Sequence, residues 1–550
     1  MRYLSFILLL LLFSCKQSET KEATTILPWV SYDESKELAE SAKHQSRRMR
    51  YKLIQSKVLD KNDIWNTIAP QIADFSEDDY NVLKPLILEQ DIPTIQSHIQ
   101  SGKLTYKILT QWYLYRIVKF ENNQETYLNA IISINPEAVS EAEKKDANTS
   151  NNNHPIFGMP ILLKDNINTQ GMYTTAGAHI LKNNSTPDAY ITERIKEKGG
   201  IILGKANLSE WANYLTLGGP NGYSAIGGQT LNPYGRKIFD TGGSSSGSGS
   251  SMAVNYAVAA VGTETSGSIL SPSSKHSLIG LKPTTGLLSR SGIVPLSSTV
   301  DTPGPMTRTV IDNAILLSAM TGEDPTDPAT KDNPKNIEYW SDLKESSLSG
   351  IRFGVNKRLT TDSTYMLVVE KIVALGGIAI EFEFPEINSE GFTSLLRVDM
   401  NNDLAKYIDA YLPKGFKHRS VADIIAYNKQ DSTLRIPYGQ GRLEGILTEH
   451  VSDEEMITLR KQLKAEGLKY FETPMKEHDL DVVLSINNFN ARNAAMANYP
   501  CLTMPMGYSD AGEPIGLTFM APSYMESKLL KIAYALEQEY QKRETPKLYN

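Results

Sequence analysis

Residues 241–272 read TGGSSSGSGSSMAVNYAVAAVGTETSGSILSP, and the interpretation of this stretch decides the fold. Two Gly/Ser clusters, one opening at Thr241 and one at Thr265-Ser266-Gly267-Ser268, flank an Ala/Val-rich segment. Gly/Ser-rich sequence on its own behaves as a flexible linker. Here the first cluster runs straight into the apolar residues Met252 to Val261, and the second follows the apolar stretch Ala257 to Gly262. Both therefore read as loops inside a folded unit, one ahead of a helix and one after a strand. Loops of that kind turn several backbone N–H groups toward one point, where they bind an anion or stabilise an oxyanion.

The flanking sequence supplies the sheet these loops need. Ile161-Leu162-Leu163 reads as a buried strand with Lys164 at its end. Ala189 to Trp211 reads as a helix, a Gly199-Gly200 stop, a strand from Ile201 to Gly204 and a further helix from Leu208. This alternation is the βαβ pattern of a sheet covered by helices. Upstream, Asp91 to Asn122 is amphipathic with three- and four-residue spacings that predict two helices separated by Gly102. Leu128 to Asp146 predicts a strand, then a helix from near Pro136. Residues 324–481 are charged and helix-prone, the expected place for substrate selection. Pro500 to Met506 reads as a strand, and an amphipathic helix closes the chain.

With 550 residues, 40% hydrophobic and 22% charged, the composition is that of a globular α/β enzyme. A net charge of −7 gives no reason to expect a nucleic-acid partner. The 8 histidines are scattered without metal-ligand spacing, so no metal or other cofactor is expected. The N-terminus carries Arg2, the apolar run Phe6 to Phe13, then Ser14-Cys15. That is a signal-peptide pattern, and Leu12-Phe13-Ser14-Cys15 resembles a bacterial lipobox with Cys15 as the lipidated residue. Residues 1–15 are thus expected to direct export and leave the protein held to a membrane by a lipid anchor. Residues 16–90 read as a polar tether to about Pro28 and a helical extension, helical through Lys61, whose RRMR run at Arg47 to Arg50 is a solvated face. Cys501 then has no partner for an intrachain disulfide.

The chemistry admits several readings. The first cluster lacks the lysine of a phosphate loop, which leaves serine chemistry. Gly243-Ser244-Ser245-Ser246-Gly247 matches a nucleophile elbow with Ser245, yet Arg236 to Asp240 is a poor strand to precede it. Such an elbow also requires a histidine, and His276, His418, His450 and His478 have no distinctive context. Ser341-Asp342-Leu343-Lys344 satisfies S-x-x-K without its companion motifs. A third reading pairs Ser268 with a bridging serine and with Lys164, a lysine that either snorkels to the surface or is desolvated into a base. A binding protein that keeps the fold without turnover is the non-enzyme alternative.

Longer motifs sharpen the choice. GMPILLKDNI (158–167), GKANLSEWAN (204–213), GGQTLNPYG (227–235), GGSSSGS (242–248), GTETSGSILSP (262–272) and GLKPTTGLLSRSG (280–292) follow in order. NYPCLTMPMG (498–507) and GEPIGLTFM (512–520) close the series. Together they resemble the amidase signature family, in particular secreted bacterial amidases of the peptide-amidase type. The resemblance implies one large α/β domain over residues 91–545, a central mixed β-sheet covered by helices on both faces, with 324–481 as a substrate-shaping insert. It implies a Ser–cisSer–Lys triad of Ser268 (nucleophile), Ser244 (bridge) and Lys164 (base), acting on a small-molecule or peptide amide through an acyl-enzyme. The oxyanion donors would be the backbone N–H groups of Thr265, Ser266, Gly267 and Ser268, with Ser245 supporting the loop. Two positions depart from the family pattern: Ser266 replaces a glycine, which a negative φ would allow, and Leu270 stands where members acting on acidic or glutamine-like substrates carry arginine. Because the base must be neutral, activity is expected to rise toward alkaline pH.

Overall fold

The computed structural model describes residues 25–148, 154–334 and 337–550. Cys15 and the whole of the expected signal segment lie outside the described residues. The strands, in chain order, are β1 (Ile131–Ile134), β2 (Pro160–Lys164), β3 (Ile201–Ala206), β4 (Tyr223–Ser224), β5 (Gly228–Gln229), β6 (Ala259–Glu264) and β7 (Ile279–Lys282). They continue as β8 (Thr302–Thr307), β9 (Arg352–Asn356), β10 (Ile378–Phe382), β11 (Val482–Ile486), β12 (Cys501–Tyr508) and β13 (Pro514–Met520). Eleven of them form one sheet in the order β1-β3-β2-β6-β8-β7-β12-β13-β11-β9-β10, while β4 and β5 form a small separate ladder. β2 runs parallel to both β3 and β6, and β6 is antiparallel to β8, so the sheet is mixed. The α/β class and the mixed central sheet expected from the sequence are both present.

Parallel central strands are covered on both faces and read as continuous apolar runs. β2, β3 and β6 are buried at every position. The first Gly/Ser cluster leads into the helix Ser246–Ala253, and all eight of its residues are buried. Its small side chains permit that: a Cβ at Gly247 would stand 2.4 Å from the backbone nitrogen of Asn207. The helices predicted on either side of Gly102 are Ile92–Gln100 and Tyr106–Glu121, and Gly102 sits between them at φ +72.

Two expectations need correction. Among its described residues, the segment up to Lys61 holds only the helix Ser35–Ser41 and a short turn at Arg47–Met49. Its backbone donors are met from elsewhere: the Glu34 carboxylate accepts the N–H groups of Ile54 (3.2 Å) and Gln55 (2.8 Å), which removes the need for a helical ladder. Nor is the extension separate, because Trp65, Ile68 and Phe75 join the same core as Ile161, Val261 and Leu317. The second correction concerns residues 324–481. β9 and β10 come from this region and extend the central sheet, so it is no single insert. The helices Phe392–Tyr411 and Asp453–Glu477 build a second apolar cluster beside the site.

Candidate active site

Lys164 ends β2 and has no accessible surface. Among the described residues two other lysines are equally buried, and their partners separate the three. Lys205 faces the Asp165 carboxylate at 3.4 Å, and Lys282 donates to the carbonyls of Pro283 and Tyr499, both at 2.9 Å. Lys164 Nζ meets a serine: it lies 2.7 Å from Ser244 Oγ, 2.8 Å from Thr263 Oγ1 and 3.1 Å from the Thr263 carbonyl oxygen. Burial pulls its pKa down from the ordinary lysine range to about 7, against the opposing pull of the Asp301 and Glu264 carboxylates. A neutral amine carries two N–H donors and one lone pair. The two Thr263 oxygens take the donors, which leaves the lone pair for the Ser244 hydroxyl.

Ser244 is fully buried, and the Gly243–Ser244 peptide bond is cis. Its carbonyl accepts the Ser209 N–H at 3.0 Å. The next residue closes the first loop onto the second, since the Ser245 N–H donates to the Ser268 carbonyl at 3.2 Å. The Ser245 hydroxyl donates to the Thr263 carbonyl at 3.1 Å and accepts the Thr263 N–H at 3.2 Å. That hydroxyl is pinned to β6 and makes no bond to a histidine. Of the histidines available to an elbow, His276 is buried against Ser250 Oγ and the Pro272 carbonyl, and burial lowers its pKa to about 4. The structure thus brings Lys164 and Ser244 together and leaves Ser245 without an elbow's geometry.

The second loop is held by a carboxylate that sequence reasoning missed. Glu264, the last residue of β6, accepts the N–H groups of Gly267 (2.6 Å), Ile269 (2.7 Å) and Leu270 (2.9 Å). One expectation falls here: the Gly267 N–H is committed to Glu264 and does not serve an oxyanion, whereas the Thr265, Ser266 and Ser268 amides have no acceptor among the described residues. Gly267 itself turns at φ +92, and a Cβ there would stand 2.7 Å from Asn488 Nδ2. Ser266 is half-buried and keeps a negative φ, the condition its replacement of a glycine required. Ser268 is 8% exposed where Lys164 and Ser244 are 0%, so it is the member of the trio that presents surface. Its hydroxyl makes no hydrogen bond within the described residues, and none joins it to Ser244.

A cavity of about 410 Å³ opens beside this loop, and its wall includes Asn166, Thr263, Glu264, Thr265, Tyr407 and Tyr411. Asp301, also in its wall, accepts the Thr265 hydroxyl at 2.6 Å and the N–H groups of Leu296 and Ser297 at 2.8 Å each. Burial raises its pKa to about 6. Each charged group in the wall has a partner: Arg290 with Asp327, Asp403 with Lys406, and Glu264 and Asp301 with the donors above. Leu270 points away into an apolar cluster with Phe471 and Cys501. Thr263 and Glu264 lay in plain view inside GTETSGS; only the fold shows which amides and amines they face.

The Amidase family matches residues 109–485. The chain belongs to that family. A probable amidase of Arabidopsis thaliana is 35% identical over 480 residues, spanning 84% of this chain and 92% of that protein. An amidase family protein from Bacillus anthracis superposes with a TM-score of 0.85 at 35% identity, covering 90% of this chain and 99% of that one. The peptide amidase of Stenotrophomonas maltophilia gives 0.79 at 35% identity, covering 84% of this chain and 98% of its own. This chain is accordingly an amidase-family hydrolase acting on C–N bonds.

Proposed function

We propose that this amidase cleaves a carboxamide to a carboxylic acid and ammonia or an amine through Ser268, Ser244 and Lys164. The observation that carries the reading is the buried Lys164 amine, 2.7 Å from Ser244 Oγ with both its donors occupied by Thr263. Neutral Lys164 takes the Ser244 proton while Ser244 takes that of Ser268. Ser268 Oγ adds to the carbonyl carbon, and the oxyanion is met by the free amides of the Thr265, Ser266 and Ser268 loop. The C–N bond then breaks, its electron pair stays on nitrogen, and the proton returns through Ser244 to that nitrogen. Water repeats the sequence on the acyl-enzyme and frees the acid. A fluorophosphonate probe is expected to label Ser268 and no other serine; an adduct on Ser245, or none, overturns the assignment.

For the substrate, we infer a neutral acyl group. A cavity of about 410 Å³ whose wall leaves no cation unpaired suits such a group and offers nothing to a free carboxylate. The peptide-amidase neighbour supports a C-terminally amidated peptide. Screening N-acylated amino acid amides against amides of free diacids tests this, with the former expected to turn over faster. We also infer export and anchoring through Cys15, on the strength of Arg2, the apolar run 6–13 and Ser14-Cys15. Palmitate labelling that persists in Cys15→Ala would remove the anchor.

A further inference from the structure

Among the described side chains that line the cavity, one buried oxygen lacks a donor: Asn166 Oδ1. Asn166 is 2% exposed and sits two residues beyond the base, Lys164. Its Nδ2 donates to Thr263 Oγ1 at 3.0 Å and to the Val294 carbonyl at 3.5 Å. Exchanging nitrogen and oxygen would set the amide oxygen against the Val294 carbonyl, and that contact decides the orientation of the amide, since the Thr263 hydroxyl can serve either atom. A buried acceptor without a donor is destabilising, so a donor brought by a ligand gains at this point.

We propose that Asn166 Oδ1 accepts an N–H of the scissile carboxamide and so recognises the leaving nitrogen. The assignment rests on the triad reading above. Asn166 and Ser244 are both hydrogen-bonded to the Lys164–Thr263 pair, which sets Asn166, a residue of the cavity wall, beside the base of the relay. For the nitrogen to receive that proton its lone pair must face Ser244. Its N–H groups then point elsewhere and need an acceptor, and Asn166 Oδ1 is the acceptor available. As the C–N bond breaks, the nitrogen gains the proton and positive charge, its N–H groups become stronger donors, and the bond to Oδ1 tightens. The interaction therefore favours the transition state over bound substrate. An ester leaves through oxygen, has no N–H there, and gains nothing from Asn166.

The test compares kcat/KM of Asn166→Leu and wild type for an N-acylated amino acid amide and for the p-nitrophenyl ester of the same acyl group. The amide is expected to lose about 10- to 100-fold while the ester stays within about threefold, with the acid limb of the ester pH profile unmoved. Equal losses on both substrates, or a shifted limb, would show that Asn166 acts by holding Thr263 and Lys164, and an unaffected amide would show that it does not act. Asn166→Asp, which keeps an oxygen at the same place, is expected to hold the amide-to-ester ratio near that of wild type above the acid limb. A ratio as low as that of the leucine variant overturns the proposal even if the leucine variant folds poorly. Failure of the triad reading looks different, because Ser268→Ala would then retain turnover of both substrates.

Discussion

The two Gly/Ser clusters are nearly the same in composition and opposite in how their hydroxyls are spent. In the first, every serine from 244 to 246 is buried and engaged: Ser244 with Lys164, Ser245 with the Thr263 backbone, Ser246 with the Gly242 carbonyl at 2.8 Å. In the second, Ser268 keeps a free hydroxyl and some surface, and the loop is shaped from outside by Glu264 and Asp301. A loop that consumes its own hydroxyls is scaffold and relay. A loop whose geometry is held by carboxylates can leave one hydroxyl for substrate. Composition does not separate these cases; the source of the hydrogen bonds does.

The largest test of that contrast substitutes one serine from each cluster. Ser268→Ala is expected to cut kcat/KM on the best amide by about 10⁴-fold or more with little change in melting temperature. Ser245→Ala should do the reverse. It orphans the buried Thr263 N–H and costs about 1–3 kcal/mol of stability, with a far smaller rate effect. If denaturant titration and kinetics show Ser245→Ala inactive yet as stable as wild type, the roles of the clusters are misassigned.

Next in size is Lys164→Ala, expected to lower amide turnover by about 10³-fold. Lys164 also governs the pH profile. With a pKa brought down to about 7 by burial, the ammonium must lose its proton before Ser244 can transfer one. Activity should therefore rise through neutral pH and level off on the alkaline side. A wild-type kcat/KM profile that stays flat well below that region, with chemistry limiting, would mean Lys164 is not the base.

Much of this was legible in the sequence, and the part that was not has a physical reason. An apolar strand ending in lysine, followed by two Gly/Ser loops, already put Lys164 and both loops within one α/β unit, while Ser244 was singled out as the bridge only by the resemblance to the amidase signature family. The parallel strands β2 and β6, which lead to Lys164 and to the Ser268 loop, are buried on both faces, so they are apolar up to their polar C-terminal ends and easily read. β10 is harder: it is an edge strand, mostly exposed, and its IAIEF merges into a charged, helix-prone background. Glu264 and Asp301 were hidden for another reason. A carboxylate's role depends on which amides it faces, and Asp301 meets Thr265 only because β6 and β8 are paired side by side.

Glu264→Gln probes the external hold on the second loop. One carboxylate accepts three N–H groups, whereas an amide of the same shape has one oxygen and turns a donor toward the loop. Loosening the loop displaces Ser268 relative to its own oxyanion donors, and misplacement of that kind costs about 10- to 100-fold in kcat. The expected signature is a fall in kcat on both amides and esters, read from steady-state kinetics. A normal kcat would show that the loop holds its shape without Glu264.

The smallest effect is the most diagnostic of how the two loops communicate. Asp301 grips the nucleophile loop through Thr265, and its charge stabilises the ammonium form of Lys164. Asp301→Asn keeps the shape and an oxygen for the Leu296 and Ser297 amides but removes the charge. The ammonium loses that support, so the pKa of Lys164 falls further and the acid limb of kcat/KM moves to lower pH. The alkaline plateau is expected to stay within about threefold of wild type, because Thr265 can accept from the new amide where it formerly donated. Asp301 itself, raised to about 6, is mostly ionised across neutral pH, so the missing charge is one the wild type carries in its working range. A limb that moves to higher pH, or stays in place while the plateau collapses, would mean that Asp301 acts on Ser268 through the loop alone and that its charge does not reach the relay.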